Sequence, residues 1–279
     1  LHYTSRHMSW LHCMWGVGAS AGPLVMSRAI LRASWNQGYL IIAILQAVLT
    51  LVLFFSLPLW KDAKNVAADT DAAPKRSHSF KEMIAIPGVK QVLTCFFCYC
   101  AMESVTGMWA ASYCTLYRGI SAEQAASWAS LFYIGITLGR FVCGFITFKV
   151  NDQNMIRLGQ IIAAVGIVLV ALPWGNGLLL AGLIMIGVGC APIYPSVIHE
   201  TPANFGADVS QGIIGLQMAF AYIGTTLMPP LFGFLGEKIS FGLYPYFVAV
   251  ILVLMFVMAE KLHKATAERR KAWTGPIDG

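Results

Sequence analysis

The chain has 279 residues, of which 57% are hydrophobic and only 11% charged. A water-soluble domain carries about 25% charged residues, so a fold of this size that turns its whole surface to water is excluded. The net charge of +6 does not point to nucleic acid either: the basic residues form no stripe but sit between apolar runs, which is the membrane pattern.

A spanning helix needs roughly 20 mostly apolar residues, and eight segments qualify: 9–30, 37–59, 90–117, 124–147, 154–174, 177–198, 210–235 and 241–260. The expectation is an all-α membrane protein with about eight transmembrane helices. A β-barrel would show period-2 alternation over about ten residues, and runs such as Leu40 to Phe55 and Gly159 to Pro173 do not. The residues leading into the first span are polar, begin at Leu1 and lack a signal-peptide shape, which reads as a trimmed or incomplete start. After the second span, 61–89 is polar and reads as a flexible connector that ends in a short amphipathic helix around Phe80-Lys-Glu-Met83.

The third span opens with Cys95-Phe-Phe-Cys-Tyr-Cys100. Its CxxC spacing raises zinc, but no second ligand pair accompanies it. These cysteines, with Cys13, Cys114, Cys143 and Cys190, are expected to be small buried hydrophobes, with no disulfide framework and no metal or other cofactor. Glu103 lies near mid-span, where an ionisable group costs several kcal/mol unless it faces protein or water. Helical spacing puts Tyr99, Thr106, Gly107, Ala110 and Tyr113 on or near its face. Such a carboxylate can accept hydrogen bonds from solute hydroxyls, carry a coupling proton, or fasten a neighbouring helix. Trp109 and Trp128 can stack on a sugar ring or anchor the span ends.

In the fourth span Gly135 and Gly139 form a small-xxx-small packing pattern, and Arg140 can snorkel to the interface or pair with a gate residue. The sixth span carries Gly187-Val-Gly-Cys-Ala-Pro-Ile-Tyr-Pro-Ser196, where Pro192 and Pro195 remove donors and invite a kink. His199-Glu200, before Thr201-Pro202, reads as a loop or gate. In the seventh span Gln211, Gly215, Tyr222 and Thr226 share a face, and Gln217 lies on another with Ala221 and Gly224. An amide there suits a polyol or ties two helices together. Pro229-Pro230 invite a second kink.

If every segment spans, 15 of the 19 Lys and Arg residues fall on one side and only Arg28, Arg32, Arg118 and Lys238 on the other. The positive-inside rule makes the first side cytoplasmic, with both chain ends there. No GxxxxGK[ST] suggests an ATP-driven pump and no HExxH a membrane protease, so an enzyme is not expected.

The segments resemble the major facilitator superfamily, and within it the fucose/glucose–proton symporter branch. The resemblance rests on three stretches. Trp10-Leu-His-Cys-Met-Trp-Gly-Val-Gly-Ala-Ser-Ala-Gly-Pro23 is similar to the fifth helix of that branch. Gly187 to His199, running on to Asn204-Phe-Gly206, is similar to its tenth helix and following loop. Gly215-Leu-Gln217 through Tyr222-Ile-Gly224 to Pro229-Pro-Leu-Phe-Gly233 is similar to its eleventh.

The resemblance implies two six-helix halves joined by a long cytoplasmic loop. On that reading 1–60 are the last two helices of the N-terminal half, 61–89 the cytoplasmic linker, 90–262 a complete C-terminal six-helix half and 263–279 a cytoplasmic tail. It also implies that four preceding helices, which hold the proton-coupling carboxylates of similar symporters, are absent here, so coupling is assigned to no residue. The function implied is secondary active transport of a small polar solute, such as a monosaccharide with a proton, across the cytoplasmic (inner) membrane of a cell, without nucleic acid. The candidate substrate contacts are Glu103, Trp109, Tyr113, Gln217 and Tyr222; the candidate gating or structural residues are Arg140, Pro192 and Pro195. The alternatives are an exporter of drugs or metabolites from the same superfamily and a truncated, non-transporting membrane protein.

Overall fold

The computed structural model describes residues 9–19, 21, 25, 34–59, 79–147 and 149–272. Among these every regular element is helical, and seven helices are long and apolar enough to cross a membrane. They correspond to the second through eighth expected spans. In the first, 9–19 are helical and most of the remainder lies outside the described residues, as does 61–78 of the expected linker. The reason for the agreement is the solvent: in hydrocarbon each backbone donor must be satisfied within its own segment.

The chain divides into two compact units, one drawn from 17–77 and one in which the stretch before residue 17 joins 78 onward. The first contains α1 (Trp35–Ser56) and a single 3-10 turn, Leu57–Leu59. Helix α1 is apolar on every side, and its side chains are almost all exposed.

The second unit begins with α2 (Phe80–Ala85), the expected short helix. It is held by a capping box in which Ser79 accepts from the Glu82 amide and Glu82 accepts from the Ser79 amide. Helix α3 (Val89–Ser112) follows and runs into a π-helical turn, Tyr113–Tyr117. Gly88, which precedes it, has φ +99°, and a Cβ there would also press on Thr266 and Phe205, so this turn requires glycine. Next come α4 (Ala122–Ile146), α5 (Asp152–Ala171), α6 (Gly175–His199), the short α7 (Thr201–Phe205), α8 (Ala207–Lys238) and α9 (Tyr244–Lys271). Ser121 caps α4 and Asn151 caps α5, each through its side-chain oxygen.

Short connections make the long helices α3, α4, α5, α6, α8 and α9 alternate in direction. Lys90, Lys149, Arg157, Arg269 and Arg270 gather at one end, and Arg118 and Lys238 at the other. Helix α3 packs along α8 and α9, and α6 along α4 and α5. The α6 seams are made by glycine. A Cβ on Gly187 would stand 2.2 Å from the Phe132 carbonyl oxygen of α4, and one on Gly135 would stand 2.8 Å from the Ile184 carbonyl oxygen. The small-xxx-small pattern thus marks a backbone-to-backbone approach. Pro192 and Pro195 do not interrupt α6, nor do Pro229 and Pro230 interrupt α8. Pro192 lies in the α5–α6 seam, where a Cβ on Gly159 would come within 2.8 Å of its ring; packing from α5 holds the helix together across it.

The basic end differs from expectation at two places. His199-Glu200 is no open loop: His199 closes α6 and its Nδ1 lies 2.6 Å from Asp152, while Glu200 is buried. The last helix also continues past 260 to Lys271 instead of fraying into a tail. Its final turns dock there, Arg270 donating to Glu200 (2.7 Å) and to Asn204 (3.1 Å), and Thr266 donating to Asn204 (3.0 Å). Hydropathy alone ends a span where charge begins, and these partners are what keep the charged turns helical.

Candidate functional site

Midway along the second unit is a cavity of about 420 Å³. Helix α3 contributes Tyr99, Cys100, Glu103 and Ser104; α4 contributes Arg140; α6 contributes Tyr194; α8 contributes Met218, Ala221, Tyr222 and Thr225; and the helical stretch at 9–16 contributes Leu11, His12 and Trp15. Its size is that of a small-molecule site.

The cavity is organised by a three-residue relay. Tyr99 and Glu103 are four residues apart and so lie one above the other on α3. The Tyr99 hydroxyl donates to Glu103 Oε2 and accepts from Arg140 Nη2 at 3.1 Å. Arg140 Nη2 is 3.8 Å from Glu103 Oε2, an ion pair without a direct hydrogen bond. Arg140 Nη1 donates to the His12 carbonyl (3.2 Å), and the guanidinium sits over the Trp15 ring, 5.0 Å from its centroid. Arg140 therefore does not snorkel. It is 2% exposed and its charge is turned into the bundle, where the partners that offset a buried cation are found. Tyr194 completes the wall, its ring 4.6 Å from His12 and 5.9 Å from Tyr99.

Of the five candidate contacts, Glu103 and Tyr222 line this cavity together. The other three do not. Trp109 Nε1 donates to the Pro229 carbonyl (2.9 Å), and its ring packs on Phe232 and Phe241. Tyr113 is buried and donates to the Val170 carbonyl (3.0 Å), beside Arg118, which donates to the same carbonyl and to that of Leu172. Gln217 is fully buried and donates to Thr201 (3.2 Å). Each ties α3 or α8 to a neighbour. Trp128 is buried in the core. The seven cysteines are all buried, and among the described residues no group of His, Cys, Asp and Glu is placed to hold a metal.

The site also uses residues to which sequence reasoning gave no site role. Tyr99 was placed on the Glu103 face, but its bridging position depends on Arg140 from another helix. Trp15 and His12 lie in the 10–23 motif, and Tyr194 between the two prolines, so both motifs contain site residues that helical spacing alone does not pick out.

The model of a family described as the Major Facilitator Superfamily matches residues 2–208 and, in an overlapping match, 92–275. An uncharacterized MFS-type transporter of Yersinia pestis is 26% identical over 165 residues, covering 59% of this chain and 42% of that protein. An uncharacterized transporter of Sinorhizobium fredii is 25% identical over 154 residues, covering 55% of this chain and 41% of that protein. The chain thus spans less than half the length of these curated relatives. Among solved structures it resembles the transporter FucP in its outward conformation, with a TM-score of 0.66 and 15% identity over 92% of this chain and 68% of that one. It also resembles the E. coli fucose:proton symporter FucP in a second crystal structure, with a TM-score of 0.59 and 18% identity over 68% and 47%. A peptide transporter bound to alafosfalin gives a TM-score of 0.61 at 16% identity, over 74% and 43%. At these identities the structures speak for the fold.

Proposed function

Because this chain belongs to the Major Facilitator Superfamily, we propose that it carries out secondary active transport of a small polar solute of monosaccharide size, with a proton as the coupling ion. The mechanism is alternating access, two helical halves rocking about a site near the bilayer midplane. Residues 90–262, with the docked turns up to Lys271, act as one half; 1–60 contribute to the other; 61–89 connect them. The basic end faces the cytoplasm, as the charge asymmetry requires, in the cytoplasmic (inner) membrane.

The observation that carries this reading is the cavity itself: a carboxylate, a guanidinium, an indole face and several hydroxyls converge at mid-depth in an otherwise apolar bundle. A charged pair there costs stability, and solute binding is the use that accounts for it. Glu103 and Tyr222 act as hydrogen-bonding contacts, Trp15 as a stacking surface and Arg140 as an anchor. Trp109, Tyr113 and Gln217 serve by fixing α3 and α8, and Pro192 and Pro195 by shaping the wall around Tyr194. The similarity to the fucose:proton symporter supports the sugar-sized solute and the proton.

The test is uptake by the full gene product in proteoliposomes under an inward proton gradient. Glu103→Gln should lower uptake about tenfold or more, the loss expected for one charge-assisted hydrogen bond. Unchanged uptake and unchanged solute affinity would remove Glu103 from the site.

A further inference from the structure

Building on the transport reading, we propose that the solute is an anion, a small hydroxylated monocarboxylate such as the acid form of a monosaccharide, whose carboxylate docks on Arg140. A guanidinium has five donors, and when it pairs with a carboxylate it frequently does so through two parallel hydrogen bonds. The two acceptors that Arg140 has, the Tyr99 hydroxyl and the His12 carbonyl, are uncharged. Among the described residues its buried Nε has no hydrogen-bond partner. The nearest carboxylate oxygen, on Glu103, stands at 3.8 Å and is already engaged by Tyr99.

The guanidinium of Arg140 is thus held in place through its two terminal nitrogens while its Nε is left without an acceptor among the described residues. Trp15 covers one of its faces, which fixes the plane in which a ligand can approach. A neutral sugar offers this cation acceptor oxygens but no counter-charge. A carboxylate offers both, and in a low-dielectric site the counter-charge is the larger contribution. Among the described residues that line the cavity, Arg140 is the only Lys or Arg, and Glu103 already stands 3.8 Å from it, so a solute carboxylate competes with Glu103 for that one cation and a dicarboxylate finds no second one. The hydroxyls of Ser104, Tyr194 and Tyr222, together with the Glu103 carboxylate, then suit the hydroxyl groups of the rest of the solute.

The test compares gluconate, galactonate, glucuronate, glycerate and lactate with glucose, galactose and gluconamide, using the full gene product. Binding is read in detergent by thermal stabilisation and tryptophan fluorescence, and transport by uptake into proteoliposomes. At least one acid should bind about ten- to a hundredfold more tightly than its neutral counterpart, the range for a charge-assisted hydrogen bond. Arg140→Gln should abolish that preference. Arg140→Lys, which keeps the charge and loses the fork, should retain only part of it. If Arg140→Gln does not fold, the wild-type preference and the Arg140→Lys variant decide. Arg140-dependent binding of an acid without uptake would uphold the ligand class and overturn transport. Neutral sugars binding as well as the acids, or none of the acids binding, would overturn the proposal; glucose uptake would then leave the transport reading standing.

Discussion

Tyr99 shows how much a single hydroxyl can carry in a membrane protein. Its oxygen donates to Glu103 and accepts from Arg140, so two opposite charges are satisfied through one group. Tyr99→Phe removes both bonds and leaves a carboxylate oxygen and a guanidinium N–H short of partners. The cost of groups left unsatisfied is about 1–3 kcal/mol. A lower Tm in detergent, together with reduced uptake, is the expected result; an unchanged Tm would mean that Glu103 and Arg140 close directly on each other. Glu103 was legible from the sequence because a charge at mid-span is costly wherever it points. Trp109 and Tyr113 were legible as polar or aromatic groups at the right depth, but not as residues that bond across helices; for Gln217 both uses were legible, and the sequence did not choose between them. Spacing along one helix says which residues share a stripe, not which neighbour faces it.

At the scale of elements, α6 depends on the absence of side chains. Gly187 lies against the Phe132 carbonyl and Gly189 against the Ala163 amide, both closer than a Cβ tolerates. Because the obstructing atoms are backbone, no rotamer change relieves the clash, and the helices must separate. Gly187→Ala should therefore cost about 1–3 kcal/mol as an overpacking change, read as a lower Tm. Gly215→Ala in α8, where nothing lies within 4 Å, should be neutral or stabilising by up to about 1 kcal/mol through helix propensity. If the two variants behave alike, the seam does not control stability. The pattern Gly135-xxx-Gly139 was visible in the sequence, whereas its partner helix was not, because small residues permit a close approach to any neighbour.

At the scale of the whole molecule, alternation of the long helices sets which end of each is exposed where. Trp174 and Lys149 lie at opposite ends of the second unit and are both exposed, while the seven native cysteines are buried and give little background. Trp174→Cys should react with an impermeant maleimide on intact cells, and Lys149→Cys only after permeabilisation; the reverse pattern would invert the orientation. The docked end of α9 provides a second check. Arg270→Ala leaves the buried Glu200 carboxylate without its cation, at a cost of about 3–5 kcal/mol. Adding Glu200→Gln should recover part of that loss in the same thermal assay. No recovery would show that Arg270 acts through packing alone.

The sequence by itself determined the class and the positions of the seven apolar helices that the described residues contain. These follow from a solvent that tolerates neither an unpaired backbone nor a stray charge, a constraint that acts on each segment separately. Only the tertiary structure decided where Arg140 points, which hydroxyl stands between it and Glu103, and that the charged turns beyond 260 remain helical. Each of those depends on atoms brought together from different helices, and hydropathy, computed along one chain segment at a time, carries no record of such meetings.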